Sequence, residues 1–272
     1  MVKGTLGIIG CPILEDEIVY SLNTEKDEKK VYVVDTPAAQ TLKKKLEQKG
    51  VSFSVVGEWD FEKGFTEIDR ENGFNIVVIM NRLGLHSQPV FLRNTLEEQM
   101  RFHQNRFDAI ALYYGMCGNA GWDVSKWASG ALSIPVFVFR DKNNEVCDDC
   151  IGVAVGGHSR YCDFIKKYTG MLLVTPAIAG NWELFSKELD IRKGFEAFGI
   201  FTAKEVFEFF GYKYAVKIDT GIGIEGAEFD EECDRLSEDT GLELVTAAPG
   251  SANLYPAERI YEDAKSALSP YQ

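Results

Sequence analysis

The chain has 272 residues, 45% hydrophobic and 26% charged, a globular composition large enough for one sizeable core or two smaller ones and unlike that of a disordered protein. Its 42 acidic and 29 basic residues leave a formal charge of −13, which disfavours nucleic acid and anionic membrane partners; the densest basic run, Lys43, Lys44 and Lys45, is followed by Glu47 and reads as a solvated helix face. No apolar stretch approaches the roughly 20 residues needed to span a bilayer, and Met1 to Gly4 lead straight into a strand, so the expectation is a cytoplasmic protein whose six cysteines are reduced thiols.

Residues 5–10 form a short apolar run that ends at Cys11-Pro12, after which Ile13, Leu14, Ile18 and Leu22 fit a helical stripe. The alternation continues with a strand predicted over 31–34, a helix over 38–49 and a strand over 52–56. The run 76–80 has no polar alternation, as suits a strand covered on both faces. A helix is predicted over 89–105 and a strand over 109–114, broken sharply by Gly115-Met116-Cys117-Gly118-Asn119. Further strands are predicted over 136–139, 151–155, 171–174, 214–218 and 242–245, with a polar loop over 141–149 and helical segments between most of them. Such frequent alternation predicts an α/β fold with a largely parallel sheet and covering helices. We treat it as a single unit over 1–272; one continuous sheet and two α/β lobes meeting near 105–120 both fit the pattern, and in either case ligands gather at the carboxyl ends of the strands.

That rule gives the cysteines their interest. Cys11 and Cys117 each lie just beyond a predicted strand, Cys117 in a glycine-rich turn. Cys147 and Cys150 form a C-x-x-C, a spacing that suits two thiolates on one tetrahedral ion or a redox pair, and His158 and Cys162 extend it locally. Free cysteine is also a common core residue, and for Cys233, on a polar helix over 230–239, packing is the preferred role. Of the three histidines, His103 is expected at the surface beside Arg101 and Arg106, whereas His86 follows the 76–80 strand by a short loop and can face the cleft. Gly221-Ile222-Gly223-Ile224-Glu225-Gly226 matches a G-x-G-x-x-G dinucleotide fingerprint, with Glu243 about 20 residues further on. Asp219, Glu225, Glu228 and Asp230, however, crowd acid where a pyrophosphate would sit.

Tyr113-Tyr114-Gly115-Met116-Cys117-Gly118-Asn119 resembles the Y-G-x-C-G/S-N signature of a domain-of-unknown-function family of methanogenic archaea and anaerobic bacteria. Cys11-Pro12-Ile13-Leu14-Glu15-Asp16-Glu17 is similar to that family's C-x-I-L-x-x-E, Leu85-His86 with Pro89 and Leu92 to its L-H-x-x-P-x-x-L-R, and Asp149-Cys150-Ile151 to its D-C-I. The likeness extends to about residue 185 and, more loosely, to Ile218-Asp219-Thr220-Gly221. One departure is that Asp148 stands where the family pattern has a histidine, which makes Cys147 a candidate substitute ligand. The resemblance implies a place beside corrinoid-dependent methyltransferase systems that handle methylated one-carbon substrates.

The leading expectation is a metal site, zinc by ligand chemistry, built from Cys11, Cys117 and Cys150 with His86 or Cys147 as the fourth group. An open coordination position would make it catalytic, in thiolate attack on a methyl group; a closed one would make it structural. The alternatives are a cysteine-based isomerase, a thiol redox protein, an iron–sulfur protein, and a corrinoid-handling accessory that docks on a methyltransferase protein.

Overall fold

The computed structural model of the chain describes residues 2–64, 68, 73–115, 121–147, 149–189 and 192–270. Its first half alternates β1 (Val2–Gly10), α1 (Glu15–Thr24), β2 (Lys30–Asp35), α2 (Gln40–Gln48), β3 (Ser54–Gly57), α3 (Glu58–Glu62), β4 (Phe74–Met80), α4 (Pro89–His103), β5 (Ala109–Tyr113), α5 (Val124–Ala131) and β6 (Val136–Val138). The remainder runs through α6 (Cys150–Val155), α7 (His158–Lys167), β7 (Met171–Val174), α8 (Pro176–Gly180), α9 (Trp182–Leu189), α10 (Ala203–Phe209), β8 (Tyr214–Lys217), α11 (Gly226–Thr240), β9 (Glu243–Thr246), α12 (Tyr255–Ser266) and β10 (Ser269–Pro270).

The α/β reading holds. The first six strands pair in parallel in the order β3-β2-β4-β1-β5-β6, and β10 returns to pair antiparallel with β1. A second, three-stranded parallel sheet has the order β7-β8-β9. β4 is buried at every position because helices cover both faces of its sheet, which is why its sequence lacks polar alternation. On one face α1, α2 and α12 bring Ile18, Leu22, Leu42, Leu46 and Ile260 onto the sheet. On the other, α3, α4 and α5 bring Phe61, Leu92, Leu96, Met100 and Val124. Each such fully buried aliphatic side chain contributes about 1.5–3 kcal/mol of apolar transfer.

A third cluster joins the two sheets. It contains Val174, Val216, Phe229 and Leu236 from around the second sheet, together with Ile13, Leu83 and Ile151 from the connections after β1 and β4 and from the start of α6. Apolar side chains from the second unit thus rest on the carboxyl edge of the first sheet, where open α/β sheets bind their ligands.

Residues 151–155 are helical, not the expected strand. Asp149 caps α6, its Oδ1 accepting the Gly152 N–H at 2.7 Å, and Gly156 ends the helix in a left-handed conformation. All five positions are buried, and a short apolar run buried all round has the same pattern in a helix as in a core strand. The polar loop before it is ordered by Asp141, whose Oδ1 accepts the N–H groups of Asn143 and Glu145. Arg259 on α12 then ties the loop down through the Asp141 carbonyl and Asn144 Oδ1.

Candidate functional site at the carboxyl edge of the first sheet

The chain leaves β1 through α1 toward β2 and leaves β5 through α5 toward β6, so the exits of these two adjacent strands diverge. A crevice at such a switch point follows from connectivity alone. Cys11 stands at the β1 exit and its N–H donates to the Tyr113 carbonyl at 3.1 Å, tying it to the last residue of β5. Gly115 lies two residues beyond, and a Cβ there would meet the Asp149 Cα and the Cys150 nitrogen at 2.6 Å. Only a glycine lets the start of α6 close on the β5 exit in this way. Cys150, as the first residue of α6, is thereby fixed at the same strand end as Cys11.

Both thiols are half-buried. Cys11 packs where the second and third apolar clusters meet, and Cys150 where the first and third meet. Burial, and after it the neighbouring Cys11, holds the Tyr114 phenol well above its ordinary value. Cys147 is fully buried in the first cluster with Tyr113, Phe139 and Val153. Cys117 lies outside the described residues. His86 belongs to the single-turn helix Leu83–Ser87, which follows β4 and packs against α9, and its side chain lies outside what is described. Among the described residues, no group of three or more His, Cys, Asp and Glu side chains is placed to hold a metal ion. Cys162 Sγ lies 3.5 Å from His158 Nε2, one turn away on α7.

Two further side chains settle their roles. Cys233 is buried in the third cluster, and burial pushes its thiol up to about 12, so it packs as a core residue as expected. His103 is not a surface residue. It is 6% exposed, stacked on Phe107 and packed against Phe61 and the edge-on Phe102, and burial aided by the Arg106 charge lowers its pKa to about 4. It sits on the inner face of α4, one turn below Met100, and the flanking arginines that suggested a surface site lie on either side of it.

The sequence reading passed over the charged group at the start of α1. Glu15, Asp16 and Glu17 open α1, and all three are buried. Lys45 reaches in from α2 to Glu15 Oε1 at 2.8 Å and to Asp16 Oδ1 at 2.5 Å, and Asn181 Nδ2 donates to Glu15 Oε1 at 3.0 Å. Burial lowers the Lys45 ammonium's affinity for its proton, but Asp16 and Glu15 more than offset this and hold its pKa above the ordinary lysine range. Burial also raises Glu15, against the pull of Lys45, and lifts Glu17 to about 8 with help from the Asp16 charge. One oxygen of each carboxyl, Glu15 Oε2, Asp16 Oδ2 and Glu17 Oε2, has no hydrogen-bond partner among the described residues. Consecutive acids at a helix start ordinarily read as solvated complements to the helix dipole; the available hint was their position directly after a strand exit.

The model of the family described as Protein of unknown function (DUF1638) matches residues 80–255, well over half of the chain. The chain belongs to this family. No curated protein and no solved structure gives a match. The DUF1638 match includes His86, Cys117, Cys147 and Cys150, both halves of the Gly115 contact with α6, and the whole second sheet. Cys11 and the α1 carboxyls lie before the matched span, and the fold brings them to the same carboxyl edge.

Proposed function

We propose that this protein is a cytoplasmic metal–thiolate protein of anaerobic one-carbon metabolism. The ion is zinc, with Cys11, Cys117 and Cys150 as ligands and His86 or Cys147 completing the set. The observation that carries the reading is the contact of Gly115 with the Asp149–Cys150 backbone, combined with the Cys11 hydrogen bond to Tyr113. Together these bring two cysteines from separate loops to the exit of β5, two residues before the position of Cys117. The donor set fits the metal, because thiolates and imidazole suit zinc. When bound, the ion supplies Lewis acidity that keeps a thiol deprotonated at neutral pH. The chain's own part is to present Cys11 and Cys150 at the switch point, where the third apolar cluster packs against both. The resemblance in the cysteine motifs supports a methylated one-carbon substrate, or a corrinoid methyltransferase protein, as the partner.

The test is metal analysis of anaerobically purified protein, followed by the corrinoid absorption spectrum with methylated and unmethylated cobalamin. The expected results are about one zinc per chain, lost in Cys117→Ala with the circular-dichroism spectrum unchanged, and a change in the corrinoid spectrum. Full metal content in Cys117→Ala overturns the ligand assignment. Iron with acid-labile sulfide replaces zinc by a cluster, and an inert corrinoid spectrum removes the one-carbon role.

A further inference from the structure

The second unit carries an aromatic surface that its own packing does not use. The segment 195–210 runs into and along α10, which packs on α11 with Ala203 and Val206 buried. Beneath it Phe207 meets Trp182 and Tyr212, with ring centroids 6.4 and 5.4 Å away, and joins the third apolar cluster. A second set of rings faces out. Phe195, Phe209 and Phe210 are in mutual contact, with centroids 5.4–5.9 Å apart. Phe198 follows one turn beyond Phe195, its N–H donating to the Phe195 carbonyl at 2.9 Å, and Phe201 directly precedes the Thr202 cap of α10. Phe198, Phe201, Phe209 and Phe210 are 58–73% exposed. Single exposed apolar side chains are ordinary, but a group of them marks a surface that something else covers.

Area and charge together choose the partner. At about 200 Å² per phenylalanine side chain, these exposures amount to roughly 500 Å² of aromatic surface, the upper end of what a monomer ordinarily shows. A standard interface buries about 800 Å² on each partner and is roughly 60% apolar. The four rings therefore supply the apolar part of one such interface. Around them Arg192, Lys193, Lys204 and Lys213 stand against Glu196, Glu205 and Glu208, although the chain as a whole carries −13. Two copies meeting through acidic faces repel, whereas this segment is close to neutral and does not oppose the approach. Because it bears both signs, it can set acid against base across a two-fold axis, the self-complementary arrangement of most homodimers. A lipid surface is matched less well: membrane-binding aromatic faces are flanked by an excess of Lys and Arg, and here glutamates stand among the rings.

We infer that the 195–210 surface is the interface through which two copies of this chain pair. This goes beyond the cysteine site and does not rest on it. The test is sedimentation equilibrium of the full chain up to about 100 µM, well above the micromolar weak end for interfaces of this size. The expected mass is twice the 30.5 kDa of one chain, and it persists in high salt because the contact is apolar at its centre. Phe198→Glu, at the most exposed of the four rings, places like charges across the two-fold axis and should weaken pairing at least tenfold with an unchanged circular-dichroism spectrum. Phe209→Glu should do the same and keeps the test decisive if one variant misfolds. Phe91→Glu, at a ring of similar exposure on α4 of the first unit, should leave the dimer intact. A monomer throughout the concentration range, a dimer indifferent to both Phe198→Glu and Phe209→Glu, or equal loss in Phe91→Glu overturns the assignment. So does a monomer that co-sediments with phosphatidylcholine vesicles, which gives the surface to lipid.

Discussion

Replacing Glu17 by Gln tests the electrostatics of the α1 carboxyl group directly. Glu17 is 4% exposed, Lys45 pairs with its neighbours instead of with it, and its pKa is raised from 4.5 to about 8 by burial and by the Asp16 charge. Between these two values the folded chain holds a proton that the unfolded chain releases, so stability falls as pH rises. The slope is about 1.4 kcal/mol per pH unit for one proton, which amounts to about 3 kcal/mol lost by pH 7 and about 5 kcal/mol by pH 8. Below 4.5 both states are protonated and this group contributes no pH dependence. A glutamine has the shape of the protonated acid and no charge to desolvate, so Glu17→Gln should match the wild type near pH 4.5 and become progressively more stable relative to it up to about pH 8. Urea unfolding of both proteins at half-unit intervals from pH 4.5 to 8.5 measures the difference, in which the titrations of all other groups largely cancel. These magnitudes are a large part of the roughly 5–15 kcal/mol total typical of a folded protein. A difference that stays constant from pH 5 to 8 refutes the reasoning and places an ionised Glu17 in the folded state.

The opposite dependence is expected from His103, whose pKa falls from 6.5 to about 4 on burial beside Arg106. Here the unfolded chain takes up the proton first as pH drops below 6.5, so stability is lost toward pH 4, by about 3 kcal/mol in all. His103→Phe should remove that acid-side loss in urea unfolding, and an unchanged acid limb rejects it. Gly115→Ala forces a Cβ to within 2.6 Å of the Asp149–Cys150 backbone and should cost about 1–3 kcal/mol, read as a lower urea midpoint together with faster alkylation of Cys150; a wild-type midpoint contradicts the close approach. Cys233→Ala opens a small void in the third cluster and should cost about 1 kcal/mol in thermal unfolding while leaving metal content unchanged; loss of metal would place Cys233 in the site.

Several features were legible because they depend on local pattern. The unbroken apolar run of β4 announced a strand covered on both sides, and the break at Gly115 marked the end of β5. The same locality explains the failure at α6. Five apolar residues carry no period that separates a buried helix from a buried strand, and the Asp149 cap that decides it is a hydrogen bond three residues long. His103 was misplaced for a related reason, since flanking arginines describe the outer faces of a helix and say nothing of the face turned inward.

What the sequence determined by itself was the α/β class and the strand exit at Cys11. Each follows from residue types within one or two turns of chain. What only the tertiary structure decided was convergence. The second sheet settles on the carboxyl edge of the first through Ile13, Leu83 and Ile151, Cys150 is carried to the β5 exit by Gly115, and Lys45 is brought to Glu15 and Asp16 across 29 residues. Three acids in a row read as solvated until the fold removes their water. Burial is a property of what packs against a residue from distant parts of the chain, and no local pattern encodes it.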